Sequence, residues 1–323
     1  MIITVLTHLL KERDAKSYDV VIDQVSAALA KRGHEVSVFG VHGDMVKLVE
    51  GLKERKPDLI FNLMETFGKT QLGSIGVVGL LDLLGLPYTG GGPGEFFLQE
   101  DKGITKKILA YEKILYPDYA VIPVDAESKQ ASNLRFPMFV KPLRMDASIG
   151  ISAKSIVRSQ KELVERINAI HKLKDSALAE EFIEGREFFV GLLGNRAPQV
   201  LPVLEVDFSG MPEGAPHILD AKAKWDKDSP EYKGSRVVVA DIPRELSDRI
   251  QQIALDAYKA LRVRDYGRVD MRMDDSGNVY VIEVNASCYL ERTSEIAVAA
   301  QAAGIEYEDL LERIAQLALE RRR

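Results

Sequence analysis

"GRVDMRMDDSGNVYVIEVNAS" occupies residues 267–287 and decides how the chain reads. Apolar and polar residues alternate in two runs around "DDSG", the period of half-buried strands. A two-residue loop at Ser276 and Gly277 pairs Asp275 with Asn278, and counting back places Asp270 opposite Glu283. Opposed residues of an antiparallel pair share a face, and faces alternate along each strand. Arg268, Asp270 and Arg272 then share a face with Glu283 and Asn285, while Val269, Met271, Ile282 and Val284 fill the other. Two carboxylates and an amide oxygen on one patch call for a cation. Oxygen donors alone suit Mg²⁺, which is commonly held by one or two carboxylates together with substrate phosphates. The alternative at this point is an ion-paired face on which Arg268 and Arg272 neutralise the acids.

The rest of the chain narrows the class. Its 323 residues allow two or three domains. A net charge of −6 argues against nonspecific nucleic-acid binding, which depends on clustered positive charge. Cys288 is the only cysteine, so neither an internal disulfide nor a thiolate zinc cluster is expected, and a reducing, cytoplasmic setting fits. "MIITVLTH" carries no basic leader. No run approaches the ~18 apolar residues of a membrane helix, and "VVGLLDLLGL" is interrupted by Asp82. The basic "ERRR" is expected to be a helix end, where positive charge is favourable.

Residues 1–93 alternate strand and helix. "IITVL", "EVSVFGV" and "DLIFNL" read as strands, and "SYDVVIDQVSAALAKRG", "DMVKLVEGLKER" and "SIGVVGLLDLLGL" as helices, with Gly33 placed to stop the first. "PYTGGGPG" reads as a loop. The alternation predicts a small Rossmann-like α/β domain with a parallel sheet, without a GxGxxG fingerprint. Residues 94–183 change pattern: a helix over 99–115, strands at "YAVIPV", "FPMFVKPL", "GISAKSIV" and "SALAEEFI", and a helix at "SQKELVERINAIHKL", which together predict an antiparallel α+β lobe. Residues 184–323 form a third, strand-rich region that ends in helices such as "YEDLLERIAQLALERRR".

Two further segments carry chemistry. Lys141 closes the apolar strand "MFV" ahead of the small-residue loop "DASIG". Backbone N–H groups of such a loop can surround phosphate oxygens while the ammonium adds a point charge; the bland alternative is a hairpin with a solvated lysine. In "AEEFIEGREF", Glu180, Glu181, Phe182 and Ile183 can offer an adenine edge and Glu187 can accept from ribose hydroxyls, or the acids simply keep a surface strand soluble.

Taken in order, these segments resemble the ATP-grasp superfamily, and within it the D-alanine–D-alanine ligases. The resemblance spans nearly the whole chain through "LLDLLGLPYTGGG", "EDK", "VKPLRMDASIGIS", "EEFIEGREF", "AKW", "GRVD", "VIEVN" and "AVAAQAAGIEYEDLL". It implies that Lys102 and Lys141 contact ATP phosphates under a loop over residues 146–150 that includes Ser148. It implies that Glu180 to Ile183 hold adenine and Glu187 the ribose. Asp270, Glu283 and Asn285 would bind two Mg²⁺ ions, with Mn²⁺ as an alternative. Arg268 would stabilise an oxyanion, and Lys224 would reach the transferred phosphate from a mobile segment over 222–234. The implied reaction joins two amino acids through an acyl phosphate, in an enzyme that is often a homodimer. The runner-up readings are an ATP-grasp ligase for other amino acids or for a different acid and amine, and a non-catalytic nucleotide-binding module.

The departures fall on the substrate side. Asp146 and Ala147 replace the first positions of the usual Gly-Ser-Ser-x-Gly loop, Trp225 replaces the usual Tyr, and "NASCYLERT" replaces "NxxPGMT". The family's N-terminal glutamate corresponds to Glu12 or Asp14. Ser294, in "TSE", matches the segment that holds the second substrate's carboxylate. Glu65, in "FNLMETFG", is either a ligand for a substrate ammonium or an exposed loop acid. Cys288 either lines the pocket or is a buried bystander.

Overall fold

A computed structural model of the chain describes residues 1–9, 19–68, 72–124, 126, 128–145 and 148–321. Strand β1 (Ile2–His8), helix α1 (Val20–Lys31), β2 (Glu35–Val41), α2 (Met45–Arg55) and β3 (Leu59–Leu63) build a parallel sheet of order β2-β1-β3, as the alternation predicts. Aspartates start both helices: Asp19 accepts the Val21 N–H at 3.1 Å, and Asp44 accepts those of Val46 and Lys47 at 3.0 Å. Such caps contribute about 1 kcal/mol each. Helix α3 (Gly73–Leu83) joins α2 on one face of the sheet, where Leu48, Leu52, Val77, Val78 and Leu81 meet Leu6 and Ile60.

Two expectations fail next. The loop "PYTGGGPG" ends early, because Pro93 opens α4 (Pro93–Glu100), and the single helix over 99–115 is two helices, α4 and α5 (Lys102–Tyr111). Asp101 divides them. Its N–H closes α4 on Phe97 O at 3.2 Å, and its side chain caps α5 at Ile104 N, 3.0 Å away. Apolar periodicity cannot register a break that keeps both helices in phase with the core. The break matters because it puts Lys102 at the first position of α5.

Strands β4 (Tyr119–Ile122), β5 (Met138–Pro142), β6 (Ile156–Val157) and β7 (Ala177–Glu181) form the expected antiparallel sheet, in the order β4-β7-β5-β6. Helix α6 (Gln160–His171) covers it through Leu163, Ile167 and Ile170. "GISAKSIV" is a strand only at its last two residues. Gly150, with φ +73, and the 3₁₀ turn Ala153–Ser155 occupy the rest.

The third sheet uses β8 (Arg186–Leu193), β9 (Gln199–Val200) and β10 (Leu204–Asp207). After the short helices α7 (Ala221–Trp225) and α8 (Pro230–Gly234) come β11 (Arg236–Val239), α9 (Arg244–Ala260), β12 (Tyr266–Met273) and β13 (Val279–Ala286). The order is β11-β10-β8-β12-β13, with β9 paired to β8. Ile250, Ala254, Ala257 and Tyr258 of α9 pack on Phe188, Val190, Val269, Met271 and Val281. On the other face, α10 (Glu295–Ala302) and α11 (Tyr307–Glu320) share one core with the first sheet: Ile296, Leu310, Leu311 and Ile314 meet Ile3, Val5, Phe61 and Phe189. The "ERRR" segment does begin as a helix end, where Arg321 caps α11 and pairs with buried Asp265 at 3.2 Å.

The hairpin of β12 and β13 has the predicted pairing by a different route. Its turn holds three residues between Asp274 and Asn278, closed by Gly277 at φ +82, so Met271 faces Val281 and Met273 faces Val279. A bulge at Ile282 then restores the register, and Asp270 faces Glu283 and Arg268 faces Asn285. Val281, fully buried, therefore takes the core position expected of Ile282, and Ile282 lines the cavity described below. Bulges of this kind re-aim side chains beside functional sites.

Candidate active site

A cavity of about 1580 Å³ is lined from all three sheets. It brings together every expected site residue that lies among the described ones: Glu65, Lys102, Lys141, Ser148, Glu180, Glu181, Phe182, Ile183, Glu187, Lys224, Trp225, Arg268, Asp270, Glu283, Asn285 and Ser294. Glu12, Asp14, Asp146 and Ala147 lie outside the described residues.

One end is rich in lysine. Lys102 begins a helix, where the macrodipole disfavours positive charge, yet it is buried, 3.3 Å from Glu283 and donating to Met145 O at 3.2 Å. Lys141 emerges from β5 beside Glu180 at 3.0 Å, and Lys106, one turn after Lys102, approaches the other oxygen of Glu180 at 2.6 Å. Burial works against the Glu180 carboxylate, but Lys106 and Lys141 outweigh it and hold its pKa below the usual range. Burial likewise opposes ionisation of Glu283, and Lys102, Lys141 and Lys224 pull its pKa down to about 2. The lysine beside "DASIG" is thus buried and paired rather than solvated.

The two acids of "EE" part company. Glu180 faces inward at 2% exposure, whereas Glu181 points outward into a bidentate pair with Arg135, the closer contact being 2.8 Å. The amides of Glu181 and Phe182 are spent on Asp118 O and Pro137 O, each at 2.9 Å. Phe182 stacks with Phe139 at 6.2 Å, and Arg272 lies over the Phe182 ring while donating to Glu187 at 2.8 Å.

On the hairpin, the ion-paired alternative describes part of the geometry. Arg268 grips Asp270 with Nε and Nη2 at 2.6 and 2.8 Å and donates from Nη1 to Glu295 at 2.7 Å. Burial disfavours the guanidinium, but Asp270 and Glu295 keep it charged well above the ordinary arginine value. Asn285 Nδ2 donates to Asp270 Oδ2 at 3.2 Å. Among the described residues no three His, Cys, Asp or Glu side chains converge as a metal-binding group. Two carboxylates and an amide fit a hard cation only when phosphate oxygens complete its shell, the usual arrangement for Mg²⁺.

The other end is acidic, and most of it was missed from sequence. Tyr289 donates to Asp19 at 2.6 Å, and burial first, then the hydrogen bond to Asp19 and the charges of Asp19, Glu291 and Glu65, push its hydroxyl pKa up. Trp225 meets the Tyr289 ring edge-on at 6.3 Å. Cys288 is both buried and cavity-lining, with burial lifting its thiol pKa to about 12. Asp19 and Glu295 stand at the starts of α1 and α10, where an acid is ordinary and carries no signal of a site. Tyr289 could have been flagged, since it stands in "NASCYLERT", where the family pattern lapses.

Two antiparallel sheets closing on a lysine-lined cavity define the ATP-grasp class of nucleotide-dependent enzymes. Residues 98–316 match the family described as "D-ala D-ala ligase C-terminus". The chain is 36% identical over 305 residues to the D-alanine–D-alanine ligase of Desulforudis audaxviator, covering 92% of each. It is 31% identical to the uncharacterised protein y4sG of Sinorhizobium fredii over 92% of this chain and 87% of that one. The crystal structure of D-alanine–D-alanine ligase from Bacillus anthracis complexed with ATP superposes with a TM-score of 0.79 at 26% identity, covering 99% of this chain and 97% of that one. The chain belongs to the D-alanine–D-alanine ligase family.

Proposed function

We propose that the chain is an ATP-dependent carboxylate–amine ligase that forms a dipeptide of the D-alanyl-D-alanine type through an acyl phosphate, releasing ADP and phosphate. The observation that carries this reading is the convergence of Lys102, Lys141 and Glu283 from separate elements on one cavity, across which Arg268 stands beside Asp270. Phosphoryl transfer is largely positioning and charge neutralisation. Lys102 and Lys141 hold the phosphates, Ser148 and Lys224 close over them, and Ile183 supplies the next amide along the adenine edge. Glu187 receives the ribose. Asp270, Glu283 and Asn285 hold the Mg²⁺ ions, which when bound neutralise charge developing on the phosphates.

Arg268 stabilises the oxyanion formed when an amine attacks the acyl phosphate, work worth on the order of 3–4 kcal/mol in comparable sites. The α7–α8 segment over the cavity keeps water from that intermediate. Glu65 binds an ammonium of the first amino acid, Trp225 packs against the substrates, and Ser294 binds the carboxylate of the second. Glu12 or Asp14 orients the first amino acid. A homodimer working in the cytoplasm completes the proposal; no helix among the described residues is long and apolar enough to cross a membrane.

A substrate pair other than D-alanine is the second reading, favoured by the carboxylate of Glu295 against Arg268. A non-catalytic nucleotide-binding module would need the same lysine end, but it gives no role to Arg268, held by Asp270 and Glu295 in the cavity. The test is to label the carboxylate oxygens of the amino acids with heavy oxygen. Label appearing in the released phosphate is expected, and unlabelled phosphate would contradict the acyl-phosphate route.

A further inference from the structure

We infer, resting on the reading of Glu187 as the residue that receives the ribose, that Arg272 completes that subsite: it fixes one oxygen of Glu187 and donates its own Nε–H to the sugar, so that the protein selects a ribonucleotide over its deoxy forms. The reaction derived above gives Arg272 no task. The register of the third sheet sets it directly opposite Glu187, β12 against β8, so the two side chains share the cavity face. Arg272 is only 6% exposed, and a guanidinium buried to that degree needs partners. It has them on three segments. Nη1 donates to Glu187 Oε2 at 2.8 Å and to His217 O at 3.0 Å, and Nη2 donates to Gly185 O at 3.1 Å. Gly185 has φ +129, and a Cβ there would run into Met273 O, so glycine is what lets that turn lie so close to β12. The guanidinium carbon stands 5.1 Å from the centre of the Phe182 ring, beside the adenine edge.

One donor of this anchored side chain is left over. The Nε–H of Arg272 is buried and has no hydrogen-bond partner among the described residues. Such a group is costly unless a ligand supplies the acceptor. Beside it, the bond from Arg272 uses Oε2 of Glu187 and leaves Oε1 to accept from a hydroxyl. A carboxylate oxygen only accepts and a guanidinium N–H only donates, whereas a hydroxyl does both. The vicinal hydroxyls of a ribose match that pair, one donating to Glu187 and the other accepting from Arg272. A deoxyribose would leave one of the two groups unsatisfied, which is the kind of mismatch that discriminates best between ligands.

The alternative is that Arg272 only ties β12 to the turn before β8, and binding measurements separate the two. Titration calorimetry with ATP, 2′-deoxy-ATP and 3′-deoxy-ATP, each with Mg²⁺ and without amino acids, needs no knowledge of the substrates. The wild-type protein should bind ATP more tightly than at least one deoxy form by about tenfold or more, the loss expected of a hydrogen bond to a charged group. Arg272→Leu should bring that ratio toward one. Arg272→Lys keeps a positive charge beside Glu187 but has no Nε–H, so it should lower the ratio as well, and it decides the matter if the leucine variant fails to fold. A purely structural arginine would lower the melting temperature in both variants and leave the ratio at its wild-type value, which would overturn the inference. Glu187→Gln distinguishes the two readings. Collapse of the ratio there, with none at Arg272, would strike the inference and leave Glu187 as the ribose acceptor. Wild-type protein that binds ATP and both deoxy forms alike would overturn the ribose assignment and the inference together.

Discussion

Toward one end of the cavity Lys102, Lys106 and Lys141 stand against Glu180 and Glu283; toward the other, Asp19 accepts from Tyr289 and Glu295 from Arg268, with Glu65 and Glu291 also in the lining. The lysine end holds Lys102, Lys141 and Glu283, on which the family resemblance rests, and the acidic end holds Trp225, Cys288 and Tyr289, where the chain departs from it. The contrast has a physical cause. A triphosphate presents the same charges in every member of a nucleotide-dependent family, so the groups that neutralise it have little freedom. The acid and amine that are joined differ from enzyme to enzyme, and the side chains that meet them vary accordingly.

The largest effect is expected at the lysine end. Glu283→Gln should lower turnover on the order of 10³-fold by weakening the cation site, with a melting temperature close to wild type; unchanged ADP release would refute the metal assignment. Arg268→Lys, at the junction of the two ends, should cost about 10²–10³-fold in kcat while KM for ATP stays near wild type. A rise confined to KM for ATP would place Arg268 in nucleotide binding instead. Lys141 and Lys106 sharpen the comparison because they share Glu180 but only Lys141 lines the cavity. Lys141→Met should raise KM for ATP by roughly 10–100-fold. Lys106→Met should mainly destabilise the fold, by up to about 3–5 kcal/mol, which thermal and urea unfolding would register. The reverse pattern would exchange their roles.

Much of this was legible in sequence because strand parity is robust. The hairpin parity put Asp270 opposite Glu283 although both the turn length and the bulge at Ile282 went unseen, their offsets cancelling. The break at Asp101 was not legible, since an aspartate inside an amphipathic run looks like an exposed polar residue until its caps are seen. Lys106 was missed for a similar reason: a lysine on a helix reads as solvated, and only the inward turn of Glu180 shows that it is buried. Glu295 reads as a favourable acid at a helix start, and its meaning depends on a contact with Arg268 that is 27 residues away in sequence.

The smallest effect tests the acidic end. With its pKa pushed to about 12 by burial, Cys288 is a neutral thiol at ordinary pH, and its reactive thiolate becomes abundant only toward that value. Alkylation by iodoacetamide should therefore be slow at pH 8 and rise steadily through pH 10. Amino-acid substrates should protect Cys288 more than ATP does. Equal protection by both would erase the division between the ends.

The central claim, that this cavity couples ATP cleavage to joining an acid and an amine, is tested most directly by ADP release across a matrix of single and paired D- and L-amino acids. The account predicts ADP formation with matched pairs and little with either member alone, accompanied by a stoichiometric dipeptide product in mass spectra. ADP formation that is independent of the second amino acid, or absent from every pair, would contradict it.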